Sequence, residues 1–329
     1  MSNSRIASGL LVALALAVAC AHWPLAIYGV TLAIFGLPHA LVELQWVGRR
    51  YGAWQHLMLP VTALLGVVAG SRAASLQLGY SFATTATIEL ALGALLIVAV
   101  LPAEWRRCAL RTTIALVALG TIGVGIAAAP IDALLVLAIA HNLTPAGFLA
   151  DRLRDSDTTR AARRAFATLA TTCFLILPAW LASGIAAEWL GLSKTIASVG
   201  DGAVGTTLGI EVADGISAFR PSFVAPDRAL DLLRACAFLQ VVHYVSVLYV
   251  MPKLAPLPQI ADSIRTATPN GRTMLALLVI TTLLFAIAFL HDFREARAAY
   301  GVFAAVHVWI EFPALLLALT PRALVPTVK

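Results

Sequence analysis

The chain has 329 residues, of which 60% are hydrophobic and only 12% are charged. Soluble domains carry about 25% charged residues, and a water-soluble fold of this length has no core large enough to bury so many apolar side chains. The composition therefore excludes an ordinary soluble enzyme. The net charge of +6 does not indicate nucleic-acid binding, because membrane proteins collect Lys and Arg in their cytoplasmic loops.

Apolar blocks separated by short Arg-rich stretches run along the whole chain. Each block has about 18–24 residues, the length that an α-helix needs to cross the hydrocarbon core of a bilayer. The pattern predicts an all-α fold, a polytopic transmembrane helical bundle of about ten spans that forms a single integral membrane domain over residues 1–329. The predicted spans are 6–22, 25–47, 54–70, 82–101, 111–129, 131–150, 165–187, 229–251, 273–290 and 297–319.

Two boundaries between these spans are weak, at Trp23-Pro24 and at Pro130, where one helix could be kinked instead of ended. With the N-terminus in the cytoplasm, 16 of the 23 Lys and Arg residues fall on the cytoplasmic side, and the others, among them Arg72 and Arg234, fall on the outer side. This excess predicts that both termini are cytoplasmic. The predicted localisation is the inner (plasma) membrane of the cell, as a multi-pass protein.

The longest stretch of low hydropathy, residues 191–228, is predicted to be an outer-side loop or a re-entrant segment. A cleaved signal peptide ending at Ala19-Cys20-Ala21 is less favoured, because a second apolar segment follows directly after Trp23-Pro24. The four cysteines form no CxxC pair and lie in or beside apolar blocks. We therefore expect neither a disulfide framework nor a thiolate metal site.

Four of the seven histidines lie near the middle of predicted spans, about 10–14 residues from the outer end of each. They are His39, His141, His243 and His307. Their spans run in the same direction, so the four imidazoles fall within about 6 Å of one depth. This arrangement predicts a shared metal site, the alternative being that each histidine bonds to a neighbouring helix. Imidazole suits Fe, Cu, Zn and Ni, so these ligands leave the metal open.

A carboxylate follows two of these histidines by four residues, Glu43 after His39 and Glu311 after His307. This spacing places the acid and the imidazole on the same helix face, one turn apart. A metal-bound histidine commonly donates its second ring N–H to a carboxylate, and carboxylates ligate the metals directly in helical-bundle diiron sites. The alternative is that both glutamates extend to the cytoplasmic interface. We predict that Glu43 and Glu311 are catalytic residues of the site.

Other polar residues lie beside the same histidines. Gln240 precedes His243 by three residues, and Asn142 is adjacent to His141. Each is expected to support a histidine or to join two helices by a hydrogen bond. Pro145 predicts a break in the sixth span just past its histidine. The remaining histidines, His22, His56 and His291, are expected at the membrane interface.

The segment Gly36-Leu37-Pro38-His39, followed by Glu43, resembles the Gly-Ile/Leu-Pro-His-Gly-x-x-Asp signature of the Brp/Blh family of membrane β-carotene 15,15′-dioxygenases. The resemblance implies a polytopic enzyme that uses histidine-ligated ferrous iron to cleave a carotenoid to retinal. The chain departs from the signature at Ala40, where the family has glycine, and at Glu43, where it has aspartate. The resemblance therefore implies a divergent member of the family.

The other histidines resemble the family less closely. His243, within the segment 238–244, resembles the family's late aromatic-and-histidine helix, although the second histidine of that motif is missing. His141 and His307 match only as intramembrane histidines in roughly the expected places. The resemblance thus implies a role as iron ligand most directly for His39.

The leading hypothesis is a membrane non-haem iron oxygenase in which the four histidines hold Fe(II) and O₂ is the co-substrate. Its expected partner is a lipophilic substrate from the membrane lipid, a carotenoid such as β-carotene that is cleaved to retinal. No nucleic-acid partner is expected, and the sequence indicates no oligomeric state. The alternative is a transporter or an ion-coupled membrane protein that uses the buried His and Glu residues. A bis-histidine haem carrier ranks last, because no span carries two central histidines.

Overall fold

The computed structural model of the chain describes residues 3–51, 55–99, 101, 109–155, 159–192, 220–254 and 271–318. Of these residues, 92% are helical and none lies in a β-strand, so the predicted all-α helical bundle is confirmed. The helices are α1 (Asn3–His22), α2 (Pro24–Tyr51), α3 (Gln55–Leu78), α4 (Phe82–Ala99), α5 (Ala109–Ala128), α6 (Pro130–Ala140), α7 (Thr144–Asp155), α8 (Arg160–Thr171), α9 (Leu177–Ala182), α10 (Ile185–Trp189), α11 (Ala229–Val245), α12 (Met251–Leu254), α13 (Gly271–His291) and α14 (Phe293–Ala318).

Within the described residues, seven helical segments are long and apolar enough to cross a membrane. They are Pro24–Val47, Pro60–Leu78, Phe82–Ala99, Pro130–Asp151, Arg160–Ala182, Pro226–Val250 and Glu295–Leu316. Three shorter apolar stretches, Ile6–His22, Thr112–Ala128 and Leu275–His291, coincide with other predicted spans. These helices support a membrane protein, whereas the number of spans and the cytoplasmic termini stay predictions. Residues 193–219 of the predicted outer segment lie outside the described residues.

Proline marks both of the weak boundaries. Pro24 begins α2 directly after α1, and Pro130 begins α6 directly after α5. The first position of a helix tolerates proline, because the N–H that proline lacks would have no partner within the helix there. α5 and α6 pack against each other, and a Cβ added at Gly125 would lie 2.3 Å from the Cβ of Ala133. Pro130 therefore separates two helices, as the predicted boundary requires.

α2 lies at the centre of the bundle, packed against α11, α13 and α14. One cluster of buried apolar residues joins α2 to α1, α9 and α11. A second cluster joins α14 to α3, α4, α5 and α6, and a third joins the ends of α2 and α14 to α7. Both α2 and α14 contribute to more than one cluster, and this shared packing fixes the two helices side by side.

Arg234 on α11 is a buried structural residue. The orientation count treats it as an outer surface charge, but the side chain is only 1% exposed. Its guanidinium donates to Asp231 at 2.8 Å and to the backbone carbonyl of Ala21 at 2.9 Å. Its position is explained by this pairing, because a charge inside an apolar bundle requires a partner. Arg234 therefore joins α11 to the end of α1.

Gly93 on α4 provides the space for Trp309 of α14. A Cβ added at Gly93 would lie 2.0 Å from Cζ3 of the Trp309 ring, which is fully buried. The indole N–H of Trp309 donates to the Glu89 carboxylate on α4 at 2.9 Å. The contact between α4 and α14 thus depends on a position without a side chain.

We predict that Gly93→Ala destabilises the protein by about 1–3 kcal/mol, because overpacking a filled interior forces neighbouring groups to shift. Thermal unfolding in detergent measures the effect against the wild-type protein. Gly123→Ala on α5 is the matched control, since no described atom lies within 4 Å of its added Cβ. It should leave the unfolding temperature unchanged or slightly raised, because alanine favours a helix over glycine. Equal unfolding temperatures of the two variants would contradict this packing.

Candidate metal centre

Three long helices and one short turn bring the four predicted histidines together. His39 lies on α2, His243 on α11 and His307 on α14, while His141 begins a 3₁₀ turn (His141–Leu143) between α6 and α7. The ring centroids of His39 and His307 are 4.7 Å apart, and those of His39 and His243 are 5.1 Å apart. The His141 ring lies 5.2 Å from that of His243 and 5.8 Å from that of His307. The four imidazoles therefore converge, while their role as ligands stays a prediction.

The helices are irregular close to the imidazoles. Pro38 lies inside α2, where it has no N–H to donate to the carbonyl one turn earlier. α6 gives way at His141 to a 3₁₀ turn that continues into α7, so the irregularity begins at the histidine, whereas the predicted break lies just past it. A π-helical turn, Ser246–Val250, follows α11, and such turns occur frequently at functional sites. Local departures from regular helix thus surround the convergence point.

Backbone carbonyls orient two of the rings. Nδ1 of His39 lies 2.9 Å from the carbonyl oxygen of Phe35, and Nδ1 of His141 contacts the carbonyl oxygen of Ala138. Because a carbonyl only accepts hydrogen bonds, each contact places a proton on Nδ1 and leaves Nε2 with a lone pair. Nε2 of His39 lies 3.1 Å from Nε2 of His307. This contact is satisfied either by a proton on Nε2 of His307, donated to His39, or by a cation between the two atoms.

Both predicted glutamates are buried beside the histidines. Glu43 Oε2 lies 3.4 Å from Nε2 of His243 and 3.7 Å from Nε2 of His307. Glu311 Oε1 lies 2.9 Å from Nε2 of His307, and Glu311 Oε2 accepts a hydrogen bond from the hydroxyl of Thr144. Both glutamates are 0% exposed. The alternative that they extend to the membrane interface is therefore wrong.

The described residues contain two overlapping groups whose ligand atoms all lie within 4.8 Å of one another. The first consists of His39, His243 and His307, and the second of Glu43, His243, His307 and Glu311. His141 belongs to neither group, although its ring centroid lies 5.2 Å from that of His243. The structure thus brings five of the six predicted site residues into ligand distance and places His141 beside them.

Unpaired polar atoms in this cluster fit a bound metal ion. Apart from the imidazole–carboxylate contacts above and a contact between the Glu43 and Glu311 carboxyl groups, six buried ligand atoms form no hydrogen bond of good geometry within the described part of the chain. They are Oε1 and Oε2 of Glu43, Nδ1 and Nε2 of His243, Nδ1 of His307 and Oε1 of Glu311. Each buried polar atom left without a partner costs about 1–3 kcal/mol. A cation placed among them would remove that cost and would balance the charge of the two carboxylates.

Most of the spacings between the ligand atoms also fit. Two donor atoms bound to one metal at about 2.0–2.1 Å stand about 2.9–3.4 Å apart in octahedral or tetrahedral coordination. The separations of 3.1 Å for His39 and His307, 2.9 Å for His307 and Glu311, and 3.4 Å for His243 and Glu43 fall within this range. The 3.7 Å between Nε2 of His307 and Oε2 of Glu43 lies outside this range, so these side chains would have to move closer together to bind one ion.

The two polar neighbours predicted from the sequence donate hydrogen bonds between helices or within one helical segment. Gln240 donates to the carbonyl of Tyr28 at 3.1 Å and to the hydroxyl of Thr31 at 2.9 Å, which joins α11 to α2. Asn142 donates to two carbonyls in the last turn of α6. Gln240 therefore joins two helices, one of its two expected roles, whereas these Asn142 hydrogen bonds stay within its own helical segment and match neither expected role.

Sequence reasoning missed Thr144. Its hydroxyl lies 2.6 Å from the carbonyl oxygen of His141 and contacts Glu311, so it links the 3₁₀ turn to α14. The available signal was its place next to Pro145 at the predicted break, where a hydroxyl can bond to a nearby backbone carbonyl. Among the histidines expected at the interface, His291 is exposed at the end of α13, and the side chain of His56 lies outside the described residues.

The fold and the site define a class of protein, an all-α membrane helical bundle with a buried group of His and Glu side chains that could hold a metal ion. No protein-family model, curated protein or solved structure matches the chain. The resemblance of residues 36–39 to the Brp/Blh family therefore stays a prediction.

We predict that Thr144→Val weakens metal binding about 10- to 100-fold, the usual effect of losing a hydrogen bond that orients a ligand. The measurement is the metal content of the purified variant during competition with a chelator. Thr144→Ser keeps the hydroxyl and should retain wild-type affinity. Unchanged affinity of the valine variant would show that the hydroxyl of Thr144 does not orient Glu311 for metal binding.

Proposed function

We propose that the chain is a membrane non-haem iron oxygenase that acts on a lipophilic substrate, with O₂ as co-substrate. The observation that carries this proposal is the buried group formed by His39, His243 and His307 with Glu43 and Glu311. Imidazole and carboxylate ligands with open positions are the donor set of many non-haem Fe(II) oxygenases. A bound Fe(II) would supply the activation of O₂, which amino-acid side chains do not provide.

The residues of the chain have distinct tasks in this proposal. His39, His243 and His307 hold the metal, and Glu43 and Glu311 complete this ligand set or orient its imidazoles. His141 adds a fourth imidazole through Nε2, the ring nitrogen that its backbone contact leaves available. The three central histidines and both glutamates are at most 1% exposed. The protein therefore excludes bulk water from the centre, which strengthens electrostatic interactions there.

A carotenoid such as β-carotene, cleaved to retinal, is the proposed substrate. Support comes from the resemblance of the His39 segment to the Brp/Blh signature and from the depth of the site within apolar helices. A hydrophobic substrate dissolved in the bilayer can approach such a centre without crossing water. The proposed location is the inner (plasma) membrane with both termini in the cytoplasm, for which the excess of Lys and Arg on one side is the support.

Metal content is the first test. We expect the purified wild-type protein to contain about one iron ion, or a small multiple of it, per chain. His39→Ala and His243→Ala should lose the iron, because each substitution removes a central donor atom. Elemental analysis measures this directly. His291→Ala, at an exposed position of α13, is the matched control and should keep the metal. If both the His39→Ala and the His243→Ala variants retain iron, the proposed metal site at these histidines is rejected.

Activity in a carotenoid-producing bacterial host is the second test. Expression of the wild-type chain should deplete the pigment and produce retinal, measured by absorption and chromatography, and Glu43→Gln and Glu311→Gln should each lower the rate. If the protein contains iron but the pigment is unchanged, a carotenoid substrate is rejected, whereas an iron-dependent oxygenase acting on another substrate is not. An ion-coupled transporter instead predicts substrate flux in proteoliposomes without stoichiometric metal, so the two tests together separate the hypotheses.

A further inference from the structure

A cavity of about 810 Å³ lies at the end of the bundle where α2, α6 and α14 begin and α3 ends. Its walls are mostly leucine, alanine and aromatic side chains, and its volume is in the range of about 300–1,000 Å³ that is usual for small-molecule sites. The distribution of Lys and Arg predicts that this end of the bundle is on the outer side. The cavity does not include the metal-site residues themselves, so its relation to them follows from the helices that they share.

Three helices that line the cavity carry a histidine of the metal centre farther along. Ala138 lies one turn before His141 on the same face, and Ala304 lies one turn before His307. Tyr28 lies eleven residues before His39, which is three turns of helix and again the same face. The cavity therefore lies on the outer side of the candidate metal centre and extends alongside it, since Val308 and Trp309 also line it.

Two tyrosines lie between the cavity and the imidazole of His39. The Tyr244 ring packs on the imidazole of His39, with centroids 4.2 Å apart, and its hydroxyl interacts with that of Tyr300, a residue that lines the cavity. A ligand chain in the cavity that displaces the Tyr300 side chain would face Tyr244 and then His39. The side chains of Tyr300 and Tyr244 thus connect the cavity wall to the imidazole of His39.

The opposite part of the cavity is cationic. Arg72, Arg220 and Arg297 line it, together with two carboxylates, Glu89 and Asp132. Glu89 is neutralised by Arg72, which binds it through Nε at 2.5 Å and Nη2 at 3.1 Å. Asp132 accepts hydrogen bonds from the backbone N–H, at 2.9 Å, and the hydroxyl of Ser222. The cations exceed the carboxylates, and guanidinium groups are suited to bind carboxylate or phosphate.

We infer that this cavity binds an amphipathic acid, with its carboxylate or phosphate at the arginines and its apolar chain directed toward the metal centre. Ten residues separate Arg297 from His307 on α14, so a chain of about 15 Å reaches from one level to the other. Binding of the acid does not depend on the proposed oxygenase. Only the oxidation of the acid's apolar chain rests on that proposed function. The acid is a ligand of this cavity and differs from the carotenoid hydrocarbon proposed above, and acids with a polyene chain belong to the same ligand class.

The test is equilibrium binding of oleate, methyl oleate and lysophosphatidate to the full chain in nanodiscs of zwitterionic lipid. At least one of the two acids should bind about tenfold more tightly than the ester, which lacks the charge, and the tighter one identifies the headgroup. Arg297→Gln should lower the affinity for that acid about tenfold. Arg228→Gln is the matched control, since Arg228 lies at the same end but binds the Ser183 carbonyl and Asp231.

Equal binding of the acids and the ester would overturn the inference, and so would an Arg297→Gln variant with wild-type affinity. Metal content is measured on the same preparations. Selective acid binding by a protein without metal would preserve the inference and reject the proposed oxygenase. A metal-loaded protein without selective acid binding would reject the inference and preserve the proposed oxygenase.

Discussion

The close approach of imidazole and carboxylate groups between α2, α11 and α14 is the constraint on which the rest of the structure depends. These groups are removed from water, and an ionisable group inside an apolar bundle is costly unless it is paired or coordinated. The Nε2 atoms of His39 and His307 face each other at 3.1 Å, and Glu43 reaches two imidazoles from a position one turn farther along α2. Protons shared between neighbouring groups, or a metal ion among them, would compensate this cost.

Positions with unusual backbone geometry make this approach possible. α6 stops at Ala140, and the 3₁₀ turn that follows directs His141 toward the centre while Thr144 reaches across to Glu311. Near the other histidines, Pro38 interrupts the hydrogen bonds of α2, and a π turn follows α11. Regular helices side by side are about 8–10 Å apart, so long side chains close the remaining gap. The site is therefore a product of helix interruptions together with large buried polar residues.

Simple counting along the sequence predicts much of this site. Depth is proportional to residue number in a helix, so equal distances from the span ends predict that His39, His243 and His307 lie at one level. The four-residue spacing likewise predicts that Glu43 and Glu311 lie beside them. Rotation and tilt of the helices are not contained in such counting. For this reason the sequence did not distinguish His141, which lies beside the central group, from the other three histidines.

Pairs between distant segments escaped prediction for the same physical reason. Arg234 was counted as an outer charge, yet it binds Asp231 and the carbonyl of Ala21 inside the bundle. A charged residue near a span end looks the same in sequence whether it faces solvent or another helix. Only the packing of α11 on α1 decides between the two.

The polar contacts of α14 connect the candidate metal centre to the Arg72–Glu89 pair that lines the cavity. His307 and Glu311 face the metal centre, whereas Trp309, between them in sequence, points to the opposite side of the helix and donates to Glu89. Glu89 is in turn held by Arg72 at the edge of the cavity. Consecutive residues of a helix are rotated by about 100°, so a rotation that released Trp309 would also move His307 away from His39. The Arg72 and Glu89 pair therefore fixes the rotation of α14, and through it the geometry of the metal centre.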